Sequence, residues 1–436
     1  MMNIKKTSVL LISVDALKPE FLLNQLNFDL KIPNLIHYFV DNGIYAANGV
    51  KSVFPTFTYP CHQSMITGVN PSVHGIANNI LFDPTGTHNS AWYWFVNKKV
   101  ETLWEAAKVN GYVSASVAFP TSVGAKGDYI APEFWWDGSD LDSTFIDAVA
   151  NPQGLIAEME QDIGRYPSGL DLTEKGDVQR YKAAAWLLEN KLNVKQNGKP
   201  YFLSAYFGSF DETAHIHGVY SKEAAQSLEK IDAMIGDLIE TAIKVSCGDL
   251  VVCVVSDHGS LNNCYNISPN VLFAKENLIT LDKNNKVVDW KVWSQRAGGT
   301  SEIRIKDAQD ANTREKVEEI LLMLLEDKSN GILEVLDHEQ CIQRGGFPQA
   351  DYVLVSQKGY EIRDNVSGPY CTDQLSQKAQ HGYSEEFEEM KASFMLWGKG
   401  IERGKNIGGM HLIDVAPSLA KIMGFEMQQA QGRAVL

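Results

Sequence analysis

Residues 8–15 read SVLLISVD, an almost entirely apolar run that ends in an aspartate. Continuous apolar runs of this length are typical of parallel β-strands covered on both faces. Similar runs recur as YVSASVAF (112–119), YFLSAYF (201–207) and LVVCVVS (250–256). Because helical patterns separate these runs, the sequence predicts an α/β fold, a doubly wound and mostly parallel sheet with helices on both faces.

The predicted helices show apolar periodicity and carry suitable residues at their ends. NLIHYFVDNG (34–43) and TLWEAAKVNG (102–111) each end in a glycine, a common C-cap residue. Two longer helices are predicted at 174–193 and 221–244, the second with Ser221 as its N-cap. A strand at 393–400 and a helix at 411–424 complete the predicted core.

Residues 265–375 have a different character, with more charge and only short strand patterns. SEIRI (301–305) and YVLVSQ (352–357) flank a predicted helix at 313–328. We therefore predict an inserted α+β cap subdomain at 265–375. Residues 1–264 and 376–436 would form the catalytic core.

The chain has 436 residues and a formal net charge of −15, which argues against a nucleic-acid duplex as partner. The apolar run at the N-terminus lacks a small-residue cleavage site and ends in Asp15, so we interpret it as a strand rather than a signal peptide. No apolar stretch is long enough to predict a membrane span. The six cysteines show neither CxxC pairs nor disulfide-like spacing, which favours a cytoplasmic location.

Three of the apolar runs lead into an aspartate: Asp15, Asp211 and Asp257. Ligands of open α/β sheets bind beyond the carboxyl ends of the strands, so the three carboxylates could converge there. Each aspartate alone could simply cap the next helix or turn. Three together favour a binding site.

Histidines accompany these aspartates: His215 follows Asp211 in DETAHIHG, His258 follows Asp257 in SDHG, and His381 lies in the loop QHGYSE. Carboxylate and imidazole are ligands that zinc and similar ions prefer. A loop histidine such as His381 is often a plain surface residue. We interpret the other histidines as structural or surface residues, with His217 ambiguous.

The segment SVFPTFTYPCHQSMITG (52–68) predicts a turn followed by a helix that starts around Tyr59, with Thr58 as its N-cap. The capping role alone would explain a threonine. A hydroxyl at a helix N-terminus also faces free N–H groups, a place suited to a phosphoryl oxygen. Beside a metal ion the hydroxyl of Thr58 could act as a nucleophile.

These motifs resemble, in order, those of the nucleotide pyrophosphatase/phosphodiesterase branch of the alkaline phosphatase superfamily. SVDA (13–16) is similar to its first metal-aspartate motif, and PTFTYPCHQSMITGVNPSVHGI (55–76) to its nucleophile signature. DETAHIHG (211–218), SDHG (256–259) and HGY (381–383) resemble its remaining metal motifs. The resemblance covers almost the whole chain.

The resemblance implies two divalent metal ions, most readily Zn²⁺, with Mn²⁺ as the alternative. One ion would be held by Asp211, His215 and His381. The other would be held by Asp15, Asp257 and His258. Thr58 would lie between them as metal ligand and nucleophile, and would form a covalent phospho-threonine intermediate.

The same resemblance names three substrate-binding positions. Tyr59 stands where such enzymes place an aromatic ring that can stack on a nucleobase, although it could equally pack against neighbouring structure. Cys61 replaces the asparagine that usually donates to a phosphoryl oxygen. Either the Tyr59 N–H and the metal ions suffice to bind that oxygen, or the pocket is shaped for another substrate. Asn79 is expected to line the pocket.

The expected function is hydrolysis of phosphodiester or pyrophosphate bonds in a small, possibly nucleotide, substrate. A phosphonate hydrolase similar to phosphonoacetate hydrolase and a phosphomonoesterase are alternatives. A sulfatase is disfavoured because CHQSM around Cys61 lacks the required proline and arginine. From another class, a non-catalytic metal-binding protein on the same fold remains an alternative.

Overall fold

The computed structural model describes residues 6–88, 92–96, 99–135, 143–169 and 171–436. Its centre is an eight-stranded sheet. Five neighbouring strands run parallel, and the next strand, Phe394–Gly398, pairs antiparallel with its neighbours on both sides. The strands follow one another in the order Lys405–Asn406, Ile44–Tyr45, Phe394–Gly398, Leu250–Val255, Ser8–Val14, Tyr201–Phe207, Val113–Val117 and Tyr129–Ala131.

Helices cover both faces of this sheet, as the apolar runs predict. All seven residues of Ser8–Val14 are buried, and their side chains alternate between two hydrophobic clusters. Leu10 and Ile12 pack in one cluster with helices Glu174–Asn190 and Lys222–Val245. Val9 and Leu11 pack in the other cluster, with helices Thr58–Thr67, Leu103–Val109 and Val415–Met423. The doubly wound α/β fold predicted from the sequence is therefore confirmed.

Shorter helices complete the core. The segment predicted as one helix at 34–43 is irregular: an α-helical turn, Pro33–Leu35, continues as a π-helix at Ile36–Asp41. Ser221 caps Lys222–Val245 by accepting a hydrogen bond from the Ala224 N–H. The other α-helices are Pro19–Leu23, Pro71–His74, Ser143–Val149, Leu155–Ile163, Val194–Asn197 and Ser209–His217.

Strands between residues 265 and 375 form sheets of their own. Four antiparallel strands pack in the order Val292–Ala297, Thr300–Ile305, Tyr352–Ser356 and Ile332–Asp337. Helices Pro269–Lys275, Ala311–Glu326 and His338–Gln343 accompany them. A separate hydrophobic cluster holds this region together, with Phe273, Ile303 and Leu324 fully buried in it. We refer to residues 265–375 as the insertion.

Two small sheets lie near the ends of the insertion, the first within the insertion and the second within the core. Tyr265–Ile267 pairs with Tyr360–Ile362 and with Cys371–Thr372. Ala379–Gln380, just before His381, pairs with Leu261–Asn262. Within the described part of the chain, no helix is both long enough and apolar enough to cross a bilayer.

Candidate metal and phosphoryl site

The five parallel strands end at one edge of the sheet, and the predicted ligands lie there. Asp15 directly follows Ser8–Val14, and Asp257 and His258 follow Leu250–Val255 after one residue. Helix Ser209–His217 begins two residues beyond Tyr201–Phe207. It carries its ligands one turn apart, at positions 211 and 215, so that both side chains lie on one face of the helix.

All six predicted ligands lie in a single buried cluster. Nitrogen and oxygen atoms of Asp15, Asp257 and His258 lie within 4.8 Å of one another, and so do those of Asp211, His258 and His381. His215 Nε2 lies 2.9 Å from Asp211 Oδ2, and His381 Nε2 lies 3.9 Å from the same oxygen. His258 therefore lies near both groups of ligands.

The chemistry of the cluster fits a cation. Asp15 Oδ1, Asp211 Oδ1 and Asp257 Oδ2 are buried and accept no hydrogen bond from the described residues. A buried carboxylate oxygen without a partner carries a large desolvation cost, which a coordinated cation would offset. The three oxygens therefore fit the predicted metal site, and which ion occupies it stays a prediction.

Each of the three histidines is oriented by a backbone carbonyl. His215 Nδ1 lies 2.7 Å from the Ala379 oxygen, and His258 Nδ1 lies 3.1 Å from that of Gly259. His381 Nδ1 lies 3.2 Å from the Thr56 oxygen. When Nδ1–H donates to a carbonyl, the lone pair is on Nε2, the arrangement usual for metal-binding histidines. The Nε2 atoms are those nearest the aspartates.

The pKa shifts reflect burial first and the closeness of charged groups second. Burial raises the pKa of Asp15 well above its usual value, and the carboxylates of Asp257 and Asp211 raise it further. Burial also raises the pKa of Asp257, to about 6. Burial alone would lower the pKa of His215, but its contact with Asp211 raises it to about 9. Negative charge therefore accumulates at this edge, which favours a bound cation.

The predicted nucleophile lies beside this cluster. Thr58 Oγ1 is 3.3 Å from His258 Nε2, and its side chain is almost fully buried. The helix begins at Thr58 itself, so Phe57 is the N-cap and the prediction of Thr58 as N-cap was wrong by one residue. The hydroxyl still lies at the positive end of a ten-residue helix.

The chain has clear relatives among known proteins. The sequence model of a family described as type I phosphodiesterase/nucleotide pyrophosphatase matches residues 9–384. The chain belongs to this family. Membership agrees with the resemblance drawn from the motifs, because the matched segment contains all six candidate ligands and Thr58.

Individual relatives are distant. Human ectonucleotide pyrophosphatase/phosphodiesterase family member 1 is 25% identical over 232 residues, which cover 50% of this chain but only 20% of that protein. Bis(5'-adenosyl)-triphosphatase ENPP4 of Pongo abelii is 22% identical over 97% of this chain and 79% of its own length. The chain therefore spans about a fifth of the first relative and most of the second.

Among solved structures, murine ectonucleotide pyrophosphatase/phosphodiesterase 5 superposes with a TM-score of 0.67 at 19% identity. The alignment covers 98% of this chain and 97% of that one, and the murine protein is an inactive form in complex with AMP. At this identity the likeness shows a common fold, that of the phosphodiesterase family.

Cys61 does not line the site, contrary to the sequence-based expectation. Its side chain is fully buried in the hydrophobic cluster beneath helix Thr58–Thr67. Its Sγ lies 3.1 Å from Ser52 Oγ and 3.8 Å from the Pro55 carbonyl oxygen. Cys61 is therefore a packing residue, and the cysteine that replaces the usual asparagine is part of the hydrophobic core rather than of the substrate-binding site.

Tyr59 and Asn79 hold each other in place. The Tyr59 N–H donates to Asn79 Oδ1 at 2.8 Å, and is therefore not a free donor for a phosphoryl oxygen. The Tyr59 ring is buried, packs edge-on against Trp92, and its hydroxyl donates to Glu133 Oε2 at 2.8 Å. These contacts favour packing over base stacking for Tyr59. For Asn79 they leave the Nδ2 group available to a ligand.

Two buried carboxyl groups near the site were not predicted from the sequence. Glu133 follows strand Tyr129–Ala131 at the same sheet edge, so its place at a strand end was the available signal. Asp177 accepts hydrogen bonds from the N–H groups of Gly208 and Ser209, at the start of the helix that carries Asp211 and His215. The position of Asp177 inside a long helix gave no such signal in the sequence.

Proposed function

We propose that this member of the phosphodiesterase family hydrolyses phosphodiester or pyrophosphate bonds of a small substrate. The observation that carries the proposal is the placement of Thr58 Oγ1, 3.3 Å from His258 Nε2, beside six clustered ligands. A hydroxyl at a helix N-terminus, beside carboxylates that each keep one oxygen without a hydrogen bond from the described residues, suits attack on phosphorus. A non-catalytic metal-binding protein would not need this hydroxyl.

The proposed metal ions are divalent, zinc or manganese. When bound, they would polarise the phosphoryl group and favour the alkoxide of Thr58. In the proposed assignment, one ion is held by Asp211, His215 and His381 and the other by Asp15, Asp257 and His258. The carbonyls of Ala379, Gly259 and Thr56 keep the three imidazoles oriented toward the ions.

The proposed reaction takes place in two displacements. First, Thr58 Oγ1 forms a bond to phosphorus while the bond from phosphorus to the leaving oxygen breaks, giving a phospho-threonine. Then a water oxygen bonds to phosphorus, the bond to Thr58 breaks, and the threonine regains its proton. Displacement in two steps replaces one difficult reaction by two easier ones.

Asn79 is the proposed donor to a non-bridging phosphoryl oxygen. Its Oδ1 accepts from the Tyr59 N–H, which fixes the amide plane beside the nucleophile. The remaining Nδ2–H groups can then donate. Hydrogen bonds aimed at developing charge are among the larger contributions to catalysis.

Nucleotides are the substrate class we propose first. One relative is named a bis(5'-adenosyl)-triphosphatase, and the superposed murine structure is in complex with AMP. The buried Tyr59 ring does not itself provide a stacking surface, so base recognition must come from other residues.

A substrate screen tests the proposed function. The zinc-loaded protein should hydrolyse bis-p-nitrophenyl phosphate and dinucleoside polyphosphates faster than p-nitrophenyl phosphate. Preference for p-nitrophenyl phosphate would instead indicate a phosphomonoesterase. Turnover of phosphonoacetate alone would indicate a phosphonate hydrolase. Absence of turnover on every ester and phosphonate, despite full zinc occupancy, would favour a non-catalytic metal-binding protein.

A further inference from the structure

His381 lies between the insertion and the loop that carries the nucleophile. On the insertion side, the N–H of Gly299 donates to the His381 carbonyl at 3.0 Å. On the other side, the Gly382 N–H donates to the Thr56 carbonyl at 2.7 Å, and His381 Nδ1 lies 3.2 Å from the same oxygen. Thr56 is two residues before Thr58. The backbone of this candidate ligand is therefore bound by both regions at once.

The contact with the insertion is too close for any side chain. A Cβ atom at Gly298 would lie 2.0 Å from the His381 carbonyl oxygen, and one at Gly382 would lie 2.0 Å from the Ala297 carbonyl oxygen. Both glycines also have positive φ angles, of 69° and 79°. The turn between strands Val292–Ala297 and Thr300–Ile305 thus packs, backbone against backbone, on the His381 loop.

A chain of buried side chains makes a second connection. Glu361, on an insertion strand, is almost fully buried and accepts from Asn263 Nδ2 at 2.9 Å and from Gln380 Nε2 at 3.4 Å. Gln380 Oε1 accepts from the His381 N–H at 2.9 Å. Arg363 donates to Glu361 at 2.6 Å and holds its charge in place.

We propose that the insertion positions His381, through the Gly298–Gly299 turn and the buried carboxylate of Glu361. The inference rests on the proposed function, because His381 matters only if it binds a metal ion. Gly298 and Glu361 act as positioning residues: neither would contact the ion, and both fix the backbone from which the imidazole extends. The insertion is then part of the metal site as well as a separately packed unit.

Gly298→Ala tests the turn contact. The added Cβ must displace the His381 carbonyl or the turn itself, because the Gly298 backbone fixes the position of the Cβ and the oxygen belongs to the His381 backbone. The matched control is Gly368→Ala, another insertion glycine with positive φ, of 94°, and no atom within 4 Å of the added Cβ. We expect Zn²⁺ affinity at one site, measured by competition with a chromogenic chelator, to fall about ten- to a hundredfold in Gly298→Ala only.

Glu361→Gln tests the side-chain connection independently of backbone strain. The new amide would place a donor against Arg363, Asn263 or Gln380, all of which donate to this carboxylate. The matched control is Glu302→Gln, because Glu302 is also almost fully buried on an insertion strand and is bound by an arginine two residues later. Zn²⁺ affinity should weaken at one site in Glu361→Gln and stay at the wild-type value in Glu302→Gln.

Each result decides the inference. Equal Zn²⁺ affinity in Gly298→Ala and Gly368→Ala, with both proteins folded, would overturn it. If Gly298→Ala does not fold, the Glu361→Gln variant tests the inference instead. A Zn²⁺ binding curve of Glu361→Gln identical to that of Glu302→Gln would overturn the inference. A wild-type protein that binds no Zn²⁺ would instead overturn the proposed function. Loss of affinity at one site, with a melting temperature of the metal-free protein equal to the control's, supports the inference.

Discussion

Buried carboxylates occur in both regions of the molecule, but their surroundings differ. In the insertion, Glu302 and Glu361 are each bound by an arginine two residues later in the sequence, at 2.7 and 2.6 Å. At the sheet edge of the core, Asp15, Asp211 and Asp257 each keep a buried oxygen that accepts no hydrogen bond from the described residues.

The difference separates structural from functional acids. A buried carboxylate paired with an arginine has its charge neutralised within the fold and needs no further partner. Three clustered carboxylates with no arginine or lysine partner in the described part of the chain destabilise the fold unless an external cation joins them.

Thr58→Ala should have the largest effect. Removing the proposed nucleophile leaves the carboxylates and imidazoles in place, so metal content should stay at the wild-type level while kcat on bis-p-nitrophenyl phosphate falls by about a thousandfold or more. Steady-state kinetics together with elemental analysis would separate these effects. Activity near that of the wild type would show that Thr58 is not the nucleophile.

Asp257→Asn should remove one of the two metal ions. The amide lacks the charge of the carboxylate, and the remaining ligands of that ion would be poorly arranged. His381→Ala should have a corresponding effect on the second ion. Asp232→Asn is the control, since Asp232 is a buried core carboxylate that accepts from the N–H groups of Asn34 and Leu35. Full occupancy by elemental analysis in both ligand variants would refute the assigned ligands.

Glu133 provides a core carboxylate outside the ligand cluster. Burial raises the pKa of Glu133 from 4.5 to about 7, although the Tyr59 hydroxyl and Arg180 counteract the rise. The folded protein therefore holds this proton where the unfolded chain has lost it, and stability falls as pH rises from about 4.5 to 7. The fall is on the order of 3 kcal/mol.

Glu133→Gln should abolish that pH-dependent loss. Urea unfolding of chelator-treated protein at pH 5 and pH 8 would measure the change in unfolding free energy. Glu302→Gln should alter the pH dependence of stability less, because Arg304 counteracts part of the rise that burial causes in the pKa of Glu302. Parallel pH profiles for wild type and Glu133→Gln would contradict the expected ionisation.

Cys61→Asn should have the smallest effect. The amide would enter a hydrophobic cluster where the thiol now contacts Ser52, and an unsatisfied buried polar group costs about 1–3 kcal/mol. We expect a lower melting temperature and an unchanged kcat/KM. A higher rate on a nucleotide p-nitrophenyl ester, at an unchanged melting temperature, would show that position 61 contacts the phosphoryl group after all.

The sequence was sufficient to predict the fold and the convergence of the three aspartates, because both depend on strand ends. Apolar runs marked the parallel strands, and Asp15 and Asp257 follow those runs so closely that they must lie at the carboxyl edge. The structure brings these aspartates together with Asp211 and the three histidines, as that reasoning required.

The sequence was insufficient where side-chain direction decides the role. All ten residues of helix Thr58–Thr67 are buried, so no polar face indicated which side Cys61 would take. The contact of the insertion with His381 joins residues more than eighty positions apart, and two glycines in a turn do not reveal their distant partner. Such contacts depend on tertiary packing, which local patterns do not encode.

In the proposed mechanism, two cations on the core carboxylates make Thr58 a nucleophile. The most direct test titrates chelator-treated wild-type protein with Zn²⁺ and follows bound metal per chain and bis-p-nitrophenyl phosphate hydrolysis together. We expect negligible hydrolysis by the metal-free protein and full activity only as occupancy approaches two ions per chain. Full activity without metal, or none at full occupancy, would contradict it.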